Sequence, residues 1–216
     1  MKNFLIILII LLTTVQAVIA APTKTVTVMV FGDSLSASHG MPPEAGWVEL
    51  LKHRLQSESA TYQVINTSIS GETTLGGRNR IEQVLKTHRP DIVILQLGAN
   101  DGLRGTAIES IHENLETIIQ VCQQNNTSVL LAGMQLPPNY GITYTQKFRD
   151  IFPQLAEKNQ VKLIPFLLAG FGDKYEFFQA DGIHPTEIAQ EKIVENVWDV
   201  LLTMFKNKQT TIDPDS

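Results

Sequence analysis

Several features are scarce in this 216-residue chain, and each scarcity removes a class of function. There is one cysteine, Cys122, so no intramolecular disulfide can staple the fold. Cys122 also sits in a helical pattern with no partner motif that would make it a nucleophile. The five histidines and the single cysteine form no cluster at metal-ligand spacing, so no metal is expected. Neither a P-loop lysine nor a dinucleotide glycine pattern occurs, which argues against nucleotide-driven chemistry and leaves no cofactor implied. The balance of 17 Lys and Arg against 22 Asp and Glu, a net charge of -5, gives no basic footprint for nucleic acid or an anionic membrane surface. No Pro/Gly/Ser linker, charge block or repeat divides the chain.

Long apolar runs are also missing, with one short exception. Phe4 to Leu12 follows a Lys-bearing start and is too short to span a bilayer comfortably. It leads into Val18-Ile19-Ala20, where Val18 and Ala20 fit the positions before a signal-peptidase cut. Residues 1–20 are therefore expected to be a signal peptide, and 21–216 one exported domain without a stable membrane anchor. With 43% hydrophobic and 18% charged residues, that domain can bury a core large enough to need no disulfide.

What is present is a regular alternation. Thr25 to Phe31, Tyr62 to Asn66, Asp91 to Leu97, Ser128 to Met134 and Val161 to Pro165 read as strands, rich in β-branched residues. Between and after them, Gly46 to Gln56, Arg78 to Lys86, Ile108 to Gln123, Thr145 to Lys158 and Thr186 to Phe205 carry apolar residues at helical spacing. Three of the strands are nearly continuous apolar runs, the pattern of strands covered on both faces. The expected fold is a three-layer α/β/α, flavodoxin-like parallel sheet of about five strands, with its site in the loops beyond the strands' carboxyl ends.

Four blocks fall in such loops. Ser34, in Gly32-Asp33-Ser34-Leu35-Ser36, follows the first strand on a turn that exposes its hydroxyl. A serine hydroxyl is a weak nucleophile that needs a base held in one tautomer. Asp181-Gly182-Ile183-His184-Pro185 supplies both groups, with Gly182 permitting the tight turn and Pro185 suited to the first position of the last helix. The same Asp and His can ligate a metal, but no neighbouring His or Cys completes a coordination set. Acyl transfer also requires donors for the developing oxyanion, and two loops offer them. One contains Gly71, whose backbone N–H is unobstructed by a side chain, and the other contains Asn100 with its side-chain amide.

Together these blocks resemble, in chain order, the four blocks of the SGNH (GDSL) hydrolase superfamily, named for residues that here are Ser34, Gly71, Asn100 and His184. The resemblance implies a serine esterase or thioesterase, acting on a small acyl ester or thioester as a monomer in a bacterial periplasm or outside the cell. It assigns Ser34, His184 and Asp181 to catalysis, and Gly71 and Asn100 to oxyanion and substrate binding. Two departures stand out: Ala99 replaces a Gly beside Asn100, and Ser38-His39 replaces a Gly-aromatic pair. His39 reads as a rim histidine. The segment Gln135 to Thr145 is either an acyl-groove wall or a stiff connection, and Phe166 to Phe171 with Phe177-Phe178 either a second wall or core. The competing activity is carbohydrate O-acetyl ester hydrolysis, since the blocks do not define the leaving group. From another class, a non-catalytic flavodoxin-like binding module would use the same loops but has no use for an Asp181–His184 pair.

Overall fold

Each run of β-branched and aliphatic residues forms a strand: β1 (Val26–Gly32), β2 (Tyr62–Asn66), β3 (Ile92–Gln96), β4 (Ser128–Ala132) and β5 (Lys162–Ile164). The computed structural model describes residues 25–59 and 61–212, and the expected signal peptide lies outside them. The five strands form one parallel sheet in the order β2-β1-β3-β4-β5. Every residue of β3 is buried, as are the last five of β1, which is why these strands lack polar alternation.

Among the described residues, six helices accompany the sheet: α1 (Trp47–Glu58), α2 (Thr74–His88), α3 (Ala99–Leu103), α4 (Ile108–Gln124), α5 (Ile142–Asn159) and α6 (Glu187–Ile212). α1 packs on α6, while α4 packs on α2 and α5, giving the two helical layers of the expected three-layer fold. The core runs through all of them, from Val28 and Phe31 to Phe148, Phe152 and Val197. Among the described residues no helix is long and apolar enough to cross a membrane.

The strand order decides where a site can form. β1 has β2 on one side and β3 on the other, so successive connections leave it in opposite directions and open a crevice at the carboxyl ends. The segments after β1, β2 and β3 carry Ser34, Gly71 and Asn100 respectively.

Several boundaries differ from the sequence expectation, and three of the differences have a tertiary reason. α2 starts at Thr74 instead of Arg78, taking Gly76 and Gly77 into its first turns. Glycine is a poor helix former, but a Cβ at position 77 would stand 2.5 Å from Leu97 Cδ1 and 3.1 Å from the Phe31 ring, so this close packing on the sheet admits only glycine. The Asn100 segment is the short helix α3, where a turn was expected. α6 starts at Glu187, and Pro185 lies outside it, because the His184 carbonyl already accepts the Gln179 N–H at 2.7 Å and Phe178 bridges Pro185.

Candidate active site

Ser34 sits half-buried directly after β1, with its neighbour Asp33 fully buried beneath it. Backbone bonds from Ala37 N–H to Asp33 O (3.0 Å) and His39 N–H to Ser34 O (3.2 Å) close the turn. The Trp47 indole N–H, at the start of α1, donates to Leu35 O at 3.1 Å and anchors the turn to the core. Asp33 Oδ1 accepts from Leu35 N–H and Gln96 Nε2, both at 3.0 Å, and Gln96 Oε1 accepts from Ser36 Oγ at 2.6 Å. Burial pushes the Asp33 carboxyl up to about 6, against the pull of the Leu35 and Gln96 hydrogen bonds. The turn that carries Ser34 thus rests on a closed polar network inside the sheet.

His184 and Asp181 arrive from the far end of the chain on a loop clamped to the segment before it. Gly182 N–H donates to Gln179 O at 2.9 Å, and Thr186 N–H to Phe177 O at 2.8 Å. Gly182 takes φ +69°, as the tight turn requires. His184 Nε2 lies 2.9 Å from Ser34 Oγ, and its Nδ1 lies 2.7 Å from Asp181 Oδ2. The second carboxylate oxygen accepts the backbone N–H groups of Ile183 (2.8 Å) and His184 (3.0 Å). Partial removal from water works against the charge on Asp181, but these three hydrogen bonds and the His184 ring outweigh it and hold the carboxyl down at about 2. With Asp181 accepting at Nδ1, the Nε2 lone pair is turned toward the serine.

The Gly71 and Asn100 segments meet at the same edge. Asn100 Nδ2 donates to Glu72 O at 3.0 Å and stands 3.4 Å from Asp33 Oδ2, touching both the Gly71 loop and the turn of Ser34. Gly71 adopts φ +80° in open surroundings, and its exposed N–H has no acceptor among the described residues. The Ser34 N–H likewise has none. The loop is held by buried Asp101 of α3, whose carboxylate accepts from Thr74 N–H at 2.8 Å and Thr74 Oγ1 at 2.7 Å. Arg104 Nη2 donates to Gly71 O at 3.3 Å, fixing that peptide from outside.

The profile of the GDSL-like Lipase/Acylhydrolase family matches residues 30–192, a stretch that includes all of these groups. The chain belongs to this family. Among its relatives, Esterase TesA of Pseudomonas aeruginosa is 43% identical over 175 residues, spanning 81% of this chain and 87% of the relative. Thioesterase 1/protease 1/lysophospholipase L1 of Escherichia coli is 38% identical over 190 residues, spanning 88% and 86%. The crystal structure of the psychrotrophic esterase EstA from Pseudoalteromonas sp., inhibited by monoethylphosphonate, matches with a TM-score of 0.79 at 34% identity, covering 83% of this chain and 98% of that one. This acylhydrolase therefore shares both the sheet and the order of its loops with esterases and thioesterases.

Within the acylhydrolase, the five residues singled out from sequence fall at one sheet edge. His39 is exposed, as expected of a rim histidine, but its ring also lies against that of His184, with centroids 4.2 Å apart. Phe171, Leu167 and Leu168 are buried, so that stretch is core, while Phe177 and Phe178 are partly buried against it. Of the Gln135 to Thr145 segment, Leu136 packs on the core and Ile142 is exposed. Sequence reasoning missed exposed apolar side chains close in the chain to site residues: Ile69, two before Gly71, and Ile183, one before His184. It also missed Gln96 and Asp101, whose only sequence signal is a polar residue closing or following an apolar strand.

Proposed function

We propose that this acylhydrolase is a serine esterase and thioesterase working through an acyl-enzyme on Ser34. The observation that carries the reading is the unbroken line from Ser34 Oγ to His184 Nε2 (2.9 Å) and from His184 Nδ1 to Asp181 Oδ2 (2.7 Å). Ser34 Oγ attacks the acyl carbonyl while His184 takes its proton, and the Asp181 carboxylate stabilises the imidazolium. The Ser34 and Gly71 N–H groups and the Asn100 amide receive the oxyanion. His184 then returns the proton to the leaving alcohol or thiol, and water repeats the two steps on the acyl-enzyme. The triad is complete within one chain and the steps call on no cofactor, so we read the working unit as a monomer.

An apolar acyl chain is favoured over an acetyl group on a sugar. Ile69, two residues before Gly71, and Ile183, one before His184, expose apolar surface on the segments assigned to the reaction, a surface that acetyl would leave wet. The names of the relatives, an esterase and a thioesterase with lysophospholipase activity, agree with that choice. The leader-like pattern of residues 1–20 supports export to a periplasm or beyond.

The test is Ser34→Ala. It should lower kcat on p-nitrophenyl esters by roughly 10⁴ or more and abolish labelling by a fluorophosphonate probe. Near-normal turnover by that variant would remove the assignment. Across an acyl series, rates should rise from acetyl to medium chains; a maximum at acetyl would instead support the O-acetylesterase reading.

A further inference from the structure

His39 is left over from the proposed triad, yet it is built into the same corner. Its N–H donates to Ser34 O at 3.2 Å and its carbonyl accepts Gln179 Nε2 at 2.8 Å. The residue is therefore tied both to the nucleophile turn and to the segment leading into Asp181. Its ring is exposed, makes no hydrogen bond among the described residues, and lies over the His184 ring at 36°. One ligating atom each from His39, Asp181 and His184 lie within 4.8 Å of one another.

Two imidazoles and a carboxylate are the donors that borderline transition ions take, whereas Mg²⁺ and Ca²⁺ prefer oxygen alone. Bonds of about 2.0–2.2 Å around a tetrahedral ion place its ligand atoms roughly 3.5 Å apart. The three groups must therefore close up by about 1 Å. The free ring of His39 can supply that movement by rotating about its side-chain torsions, breaking no hydrogen bond. Because His39 and Asp181 are exposed, the remaining coordination positions are open to water.

We propose that His39, Asp181 and His184 form a site for Zn²⁺ or Cu²⁺, and that filling it switches the enzyme off. The inhibition rests on the triad reading above; the binding does not. If Nε2 ligates the ion its lone pair goes to the metal; if Nδ1 does, the ring proton shifts from Nδ1 to Nε2, so in either case Nε2 has no free lone pair. The ring can then no longer accept the Ser34 proton, so attack on the acyl carbonyl stops. Nothing is oxidised or reduced.

The experiment titrates Zn²⁺ calorimetrically, in a non-chelating buffer, into the whole protein and into its His39→Ala and Ser34→Ala variants. The expected result is one Zn²⁺ bound with equal affinity by the parent and Ser34→Ala, and an affinity at least ~10-fold weaker for His39→Ala. Co²⁺ used in place of Zn²⁺ should give visible absorption with the parent and not with His39→Ala. Ester hydrolysis, normalised to each protein's own metal-free rate, should fall along the parent's binding curve, with His39→Ala needing ~10-fold or more Zn²⁺ for the same loss. Mg²⁺ should have no effect. Equal Zn²⁺ binding by the parent and His39→Ala, or no binding by the parent at millimolar Zn²⁺, overturns the site. Binding without loss of activity overturns the switch. Normal hydrolysis by Ser34→Ala would overturn the triad instead, and leaves the binding result standing.

Discussion

Asp33 and Asp181 flank the same serine–histidine pair, and the protein treats them in opposite ways. Asp33 is wholly inside, bonded to Gln96 on a neighbouring strand, with its carboxyl pushed up from 3.8 to about 6. Asp181 is exposed, bonded within its own turn, and its carboxyl is drawn down from 3.8 to about 2. The Ser34 side of the site is thus fixed by the core, and the His184 side by four consecutive residues and a clamp. Burial makes the inner acid a structural part whose charge is expensive, whereas local donors make the outer acid a permanent anion available to an imidazolium. Damage to the two sides should read out differently, in stability on one and in rate on the other.

The largest effect expected from pressing on that difference is at Asp181. Asp181→Asn removes the anion and allows the wrong His184 tautomer, so kcat should fall by roughly 10⁴, while the exposed carboxylate's stabilising hydrogen bonds are screened enough that the thermal midpoint drops only modestly. A large loss of stability with little change in rate would erase the contrast. The pH sign agrees: a carboxyl lowered to about 2 contributes fully above its unfolded value near 3.8 and is lost only as pH falls through about 2, so Asp181 itself adds no pH dependence near neutrality. Next in size is Asn100→Ala, on the border between the two regions. Loss of one oxyanion donor should reduce kcat by about 10²–10³ with KM little altered. Because Glu72 O also loses its donor, unfolding should cost about 1–3 kcal/mol less. A rise in KM without a fall in kcat would recast Asn100 as a binding residue.

The same two regions explain what could be read from sequence. Strands announce themselves locally, since burial on both faces leaves an uninterrupted apolar run such as Ile92 to Leu95, and β2 coincides with its expected bounds. The Asp181–His184 pairing is equally local, lying within one turn. The long-range parts were hidden. The first turn of α2 contains Gly76-Gly77, which by propensity breaks a helix, and it is secured by Asp101 from another loop. α3 is five residues long and includes Gly102, too short for any periodic signal. Nothing near His39 in the chain indicates that it will lie on His184, because that contact is made by the fold closing on itself.

The smallest predicted effect tests the inner acid. Because the Asp33 carboxyl is raised to about 6 in the folded protein, the unfolded chain gives up its proton first as pH rises. The Asp33 contribution to stability is therefore greatest below the unfolded value near 3.8 and declines until pH passes about 6, by an amount on the order of 3 kcal/mol for a shift of this size. Asp33→Asn cannot ionise and escapes the decline. Its new amide faces Asn100 Nδ2 donor to donor, which lowers the baseline at every pH but not the slope. Thermal melts of the parent and Asp33→Asn from about pH 4 to about pH 7 should therefore converge or cross as pH rises. If the two curves run parallel, Asp33 is ionised at no unusual cost, and the opposition between the buried and the exposed acid loses its energetic basis.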